Sequence, residues 1–274
     1  MSKELCKSIN TIDEYFSGDP NNSGKIFSES YLSMYCPDGN CSSDELKIIS
    51  GFILLINMIG EEDINSDKLV EYPILWLSYK LNQKKGNGTT RLNDFHTGHI
   101  KKNSCYNKHI AADNSSGNKI YMEVIDNKIE SMDIDIKDIS NFYDAFKSLC
   151  NMYSEFDPED YQCNKCFENA GEFFEKCEKV KNAFDINKGS SYLQLWSSLL
   201  NDYNMFKQLY NIDTCPNGSS LVACPRSSVT KNTLITIGII FVAVSILLGV
   251  SYKYSLFGFR KRSQKQHLRE MLKK

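Results

Sequence analysis

Apolar residues recur at intervals of three and four over much of the first 210 residues, then run together unbroken near the end. The periodic part predicts helices. From Ser42, the stretch SSDELKIISGFILLINMIG sets Ser42 and Glu45 at capping-box spacing ahead of an apolar run, so a helix starts there. Its segment from Gly51 to Ile59 is too short to cross a bilayer and is expected to be the buried central helix. Between Ser66 and Gln83, residues Leu69, Tyr72, Leu75, Trp76 and Tyr79 form one helical face, with Pro73 predicting a kink or a later start. Leu92 to Ile110 is expected to be a further helix with Phe95 and Ile100 inward. Asp135 to Phe156 places Ile139, Phe142, Phe146, Leu149 and Tyr153 on one stripe. The sequence DPED at Asp157 has the form of a helix start, predicting a helix through Phe167, Phe173, Phe174 and Cys177 towards Phe184. A last helix opens at Ser191, with Gln194 at capping-box spacing, and turns Leu195, Trp196, Leu199, Leu200, Tyr203, Phe206 and Tyr210 inward. Two stretches break the pattern. Lys84 to Thr90 reads as a loop, and Ala111 to Lys119 as a surface loop or a domain boundary. The fold class is all-α, with a helical domain over residues 1–210.

The unbroken run is Thr233 to Tyr252, twenty residues without a charge. At about 1.5 Å per residue it matches the hydrocarbon thickness of a bilayer, so it is expected to be a transmembrane helix; the competing reading is a buried core helix. Beyond it, residues 253–274 hold eight Lys and Arg against Glu270, a net +7, which leaves −9 for residues 1–252. Positive charge stays on the cytosolic side, so the tail is expected in the cytosol and the first 232 residues across the membrane. A tail this basic is also drawn to anionic lipid. Residues 211–232, rich in Pro, Gly, Ser and Thr, read as a stalk. The N-terminal MSKELCKSINTIDEYFSG has no apolar run of signal-peptide length, so either the C-terminal span directs targeting or an unusual export route is expected.

Orientation changes the meaning of the cysteines. Cys6, Cys36, Cys41, Cys105, Cys150, Cys163, Cys166, Cys177, Cys215 and Cys224 all precede the span. On a non-cytosolic side they are candidate disulfide cysteines, and an even number permits full pairing in a connectivity that spacing does not fix. Cys163, Cys166 and Cys177 also resemble the opening of a zinc site, but the next cysteine is Cys215 and no histidine intervenes. N-glycosylation patterns at Asn21, Asn40, Asn87, Asn114 and Asn217 likewise precede the span.

Catalytic chemistry is sparse. Asp94, His96, His99, Cys105 and His109 could hold a metal, and a membrane-anchored metal-dependent enzyme is the alternative function they allow. Lysines at 101 and 102 and Gly98 argue for a surface instead. No phosphate-binding glycine loop, nucleophile elbow or basic stripe with interleaved aromatics is present, which excludes the common nucleotide, hydrolase and nucleic-acid signatures. No cofactor is expected.

Several blocks carry a family resemblance. Tyr35-Cys36-Pro37 with Cys41, Gly51-Phe52-Ile53-Leu54-Leu55, the stretch from Ile74 to Asn82 around Trp76, and Leu92-Asn93-Asp94-Phe95 resemble in order the motifs of the Plasmodium interspersed repeat proteins. The tail from Tyr254 to Arg269 resembles that of the rodent-malaria members. The resemblance implies a variant surface antigen without enzymatic activity. Such an antigen is exported to membranes of the infected red cell or the parasite, and acts in immune evasion or adhesion, with host-cell receptors or antibodies as partners. Two positions depart from the family pattern: Pro73 stands where a better helix former is expected, and His96 where tyrosine is common, which makes His96 a packing residue.

Overall fold

An N-terminal helix, α1 (Lys3–Phe16), buries Leu5, Cys6, Ile9 and Ile12 along one face. In the computed structural model the described residues are 1–16, 31–60, 62, 64–84, 91–113, 119–157, 166–184, 189–213 and 223–224. They belong to one compact unit, Met1–Cys224. The expected span at 233–252 and the tail at 253–274 lie outside the described residues, as do Cys163, Cys215 and four of the five acceptor asparagines, Asn40 excepted. No helix among the described residues is long and apolar enough to cross a membrane.

After α1 come α2 (Asp44–Ile59), α3 (Ser66–Gln83) and α4 (Leu92–Phe95), which passes into a π turn (His96–Ile100). These are followed by α5 (Ser104–His109), α6 (Met122–Ser131), α7 (Ile136–Glu155), α8 (Ala170–Asn182) and α9 (Gly189–Asp213). The described residues are helical, with only isolated bridges joining Arg91 to Asp135 and Phe167 to Ala223. Helix α2 starts one residue later than the capping box suggests: Ser43 is the cap, its hydroxyl accepting from the Leu46 amide at 3.2 Å.

Helix α2 is buried from Ile48 to Ile56, as expected, and α3 is buried as deeply. Every residue from Leu69 to Ser78 is buried, and α3 packs against α2, α6 and α7. The amphipathic reading assigned it one inward face; it is buried all round because its polar groups find partners. Ser78 donates to the Ile74 carbonyl at 2.9 Å, and Glu71 and Tyr72 join the ionic network described below. Pro73 lies within this one helix, and the later start is not adopted. Gly51 of α2 lets the two helices approach: a Cβ there would fall 2.6 Å from the Trp76 ring and 2.8 Å from that of Phe16.

Other expectations shift. Leu92 to Ile110 is not one helix. The Lys101 amide reaches back to the His96 carbonyl at 2.9 Å, a π bond, and Asn103 then caps α5 by accepting from the Cys105 amide at 2.8 Å. Phe167 is not helical. It bridges to Ala223, and its carbonyl takes the Cys224 amide at 3.0 Å, so the following helix begins only at Ala170. Helix α9 continues to Asp213 and Cys224 is bonded to Cys166; of the stalk expected at 211–232, residues 214–222 and 225–232 lie outside the described residues.

Helix α1 is fixed through Asp13. Its carboxylate accepts from Trp76 Nε1 at 3.0 Å and the Tyr143 hydroxyl at 2.7 Å, and pairs with Lys80 at 3.0 Å and Lys147 at 2.7 Å. Burial alone would raise this carboxyl's pKa. The two lysines and the hydrogen bonds from Lys147 and Tyr143 outweigh it and hold the group below the usual carboxylate range. Asp13→Ala strands all four donors and is expected to lower unfolding free energy by about 3 kcal/mol, read by denaturant titration of tryptophan fluorescence. An unchanged midpoint would mean that the contact does not hold α1 in place.

Candidate functional site

The candidate site residues named by the sequence fall into cysteines and a histidine region. Three disulfides join described cysteines: Cys6–Cys150, Cys36–Cys41 and Cys166–Cys224. The first ties α1 to α7 across 144 residues, with Cys6 1% and Cys150 0% exposed. The second joins cysteines five positions apart around Asp38 and Gly39, both at positive φ (54° and 69°), and leaves Asn40 exposed. The third pins Cys224 beside Phe167.

Full pairing of the ten cysteines is corrected at two positions. Cys105 and Cys177 are free, the first buried on α5 and the second half-buried on α8. Each sits on a helix face packed against the core, where a small apolar side chain is what the position requires. Burial and the neighbouring Glu178 push the Cys177 thiol up to about 12, so it is an unreactive thiol.

The histidine region does not converge. Asp94 is exposed. His99 is exposed, stacks on Phe95 with centroids 4.9 Å apart, and contacts Glu45 on α2 at 2.5 Å. His109 packs on Tyr35 at 4.7 Å. His96 is 1% exposed, with Nε2 3.5 Å from Asp126 of α6. Among the described residues no three His, Cys, Asp or Glu side chains are placed to hold a metal. Burial lowers the His96 pKa to about 4; Asp126 opposes this and Lys101 adds to it.

Periodicity missed a second polar cluster. Glu71 pairs with Lys68 at 3.0 Å and Lys128 at 2.7 Å and accepts from the Ser198 hydroxyl. Asp202 of α9 pairs with Lys68 at 2.8 Å and accepts from the Tyr72 hydroxyl at 3.1 Å. Burial pushes the Glu71 carboxyl up, but Lys68 and Lys128 win and hold it below the usual range. The signal was an acid inside an apolar stripe, Val70-Glu71-Tyr72. This network joins α3, α6 and α9, with little solvent access. It is a structural device, because every strong acceptor in it already faces a cation or a hydroxyl.

With this geometry in view, the chain was compared with known proteins. A family model described as Plasmodium variant antigen protein Cir/Yir/Bir matches residues 6–253. The chain belongs to this Plasmodium variant antigen family. A solved structure of a Plasmodium PIR protein ectodomain is 32% identical to it, with a TM-score of 0.60, and the match covers 81% of this chain and 98% of that one. No curated protein matches the chain. The cysteine-linked helical fold of this family member is therefore similar to an ectodomain in both sequence and shape, and the Trp76 block that carried the resemblance lies in the buried helix α3.

Two measurements test these assignments. Alkylation of the denatured, unreduced protein followed by peptide mapping is expected to label Cys105 and Cys177 and to spare Cys6, Cys36, Cys41, Cys150, Cys166 and Cys224. Label on any of the latter six contradicts the pairing. For His96, the unfolded chain binds a proton near the ordinary value of 6.5 and the folded chain only near 4, so stability falls as pH drops through that window and is unaffected above it. The loss reaches on the order of 3 kcal/mol by pH 4, and His96→Phe is expected to flatten that slope in pH-dependent thermal unfolding. Asp13 and Glu71, whose folded values are lowered, contribute stability that disappears only further into acid.

Proposed function

We propose that the protein is an exported variant surface antigen, anchored by residues 233–252, with the helical domain on the non-cytosolic side and the basic tail at 253–274 in the cytosol. The observation that carries this reading is the three disulfides found among the described residues of a family member. Such bonds persist outside a reducing cytosol. Display on infected-cell or parasite membranes then serves immune evasion or host-cell adhesion, with antibodies or host receptors as partners and membrane lipid contacted by the span and tail.

The proposed contact regions are the stretches Lys84 to Thr90 and Ala111 to Lys119, read as loops from the sequence; residues 85–90 and 114–118 lie outside the described residues. Their described borders are anchored: Arg91 bridges to Asp135 and pairs with Asp133, while Lys119 donates to the Glu62 carbonyl at 2.7 Å and the Met122 amide to the Ala111 carbonyl at 2.9 Å. Sequence can change between anchored ends without disturbing the core. Protease treatment of intact infected cells is expected to remove an epitope from the helical domain and to leave one in the tail. Survival of the domain epitope on intact cells, with its loss after permeabilisation, would place the protein on an internal membrane; loss of the tail epitope alone would reverse the orientation.

A further inference from the structure

Among the described residues, the buried polar side-chain atoms without a hydrogen-bond partner are His96 Nε2, Asn103 Nδ2, Tyr106 Oη, His109 Nε2 and Asp126 Oδ1. All come from the stretch between the π turn and α6, and three belong to side chains grouped together. His96 Nε2 lies 3.5 Å from Asp126 Oδ1, beyond the range of an N–H···O bond. The Tyr106 ring stands edge-on to the His96 ring, with centroids 6.1 Å apart at 89°. Burial, reinforced by the charge of Asp126, keeps the Tyr106 phenol protonated well into alkali. His96 and Tyr106 are each 1% exposed, so bulk solvent does not satisfy them. The other Asp126 oxygen is taken by Lys101 at 2.7 Å.

We propose that His96, Tyr106 and the partly exposed Asp126 form a site for one small neutral hydrogen-bonding molecule, an internal water in the protein as it exists. A metal cation is disfavoured by the Lys101 ammonium on the same carboxylate, and an anion by the carboxylate itself. A water accepts from the Tyr106 hydroxyl and donates to Asp126 Oδ1 and to the neutral His96 imidazole, three bonds, the usual complement of a buried water. The bridge joins the π turn, α5 and α6. Cys105 on α5 is a free thiol, so no disulfide secures that helix, and a shared water supplies a polar tie in its place.

The sign of a conservative substitution tests the site. The full chain, in detergent at neutral pH, is unfolded by heat as Tyr106→Phe, His96→Phe and the double variant, with tryptophan fluorescence as the readout. A bridging water predicts that Tyr106→Phe lowers Tm by about 2–4 °C, and that the double variant falls by clearly less than the two single losses combined, since both remove the same bridge. A raised or unchanged Tm in Tyr106→Phe overturns the proposal, because deleting an unpaired buried hydroxyl relieves a penalty. Additive losses overturn it too. Should a variant not fold, the unsubstituted chain decides by nuclear Overhauser transfer from a long-lived water to the Tyr106 or His96 ring protons: transfer supports the site and its absence overturns it.

Discussion

The Asp13 carboxylate receives the Trp76 indole N–H, the Tyr143 hydroxyl and the ammonium groups of Lys80 and Lys147, so α1, α3 and α7 meet at one partly buried charge. A carboxylate with only part of that set would be costly to bury, and four donors make the position tenable. The geometry also explains why Trp76 fits in a fully buried site: its one polar atom is satisfied, and its ring lies edge-on to Phe16 at 5.1 Å. Gly51 completes the arrangement from the other side, since no side chain fits between α2 and those two rings. The buried Cys6–Cys150 disulfide holds α1 to α7 one further time, so the N-terminal helix is secured by a charge and a covalent bond.

The same logic, applied at the other end of α3, accounts for the buried Glu71 and Asp202. A helix that is apolar all round needs no such partners, but α3 carries Lys68, Glu71, Tyr72 and Ser78 among its apolar residues. Each polar group is matched to α6, α9 or its own backbone, so the helix is buried without leaving a charge unpaired. Register follows from this, because sliding α9 by one turn would separate Asp202 from Lys68 and Tyr72.

Apolar periodicity made the long helices legible, since Leu69 to Tyr79 and Ile139 to Tyr153 repeat at helical spacing and the structure buries those residues or packs them against the core. Helix α1 carried the same signal in Leu5, Ile9 and Ile12, but its charged and polar surroundings obscured it. What spacing could not show was contact between distant segments. DPED is a valid local helix start, yet Phe167 instead pairs with a segment 56 positions later through Ala223. The cysteine count was even, yet Cys105 and Cys177 occupy packing positions, a role their residue type does not reveal. The histidines looked like a ligand set only because a helix was assumed through residues whose π turn and Asn103 cap send them to different neighbours.

The disulfides differ in how far they restrain the chain. In the chain-entropy account, closing the 144-residue separation of Cys6 and Cys150 restrains the unfolded chain by about 5 kcal/mol, against about 2 kcal/mol for the five-residue separation of Cys36 and Cys41. The long link therefore contributes most to stability, and it joins two core helices. Lengthening a surface loop costs only about 0.6 kcal/mol per doubling. Arg91 is anchored by Asp133 and Asp135, so sequence change ahead of it leaves the Asp13 contact and the long disulfide in place. Changes that reach Gly51, Trp76 or Asp13 have no such freedom, because each touches two or more helices at once.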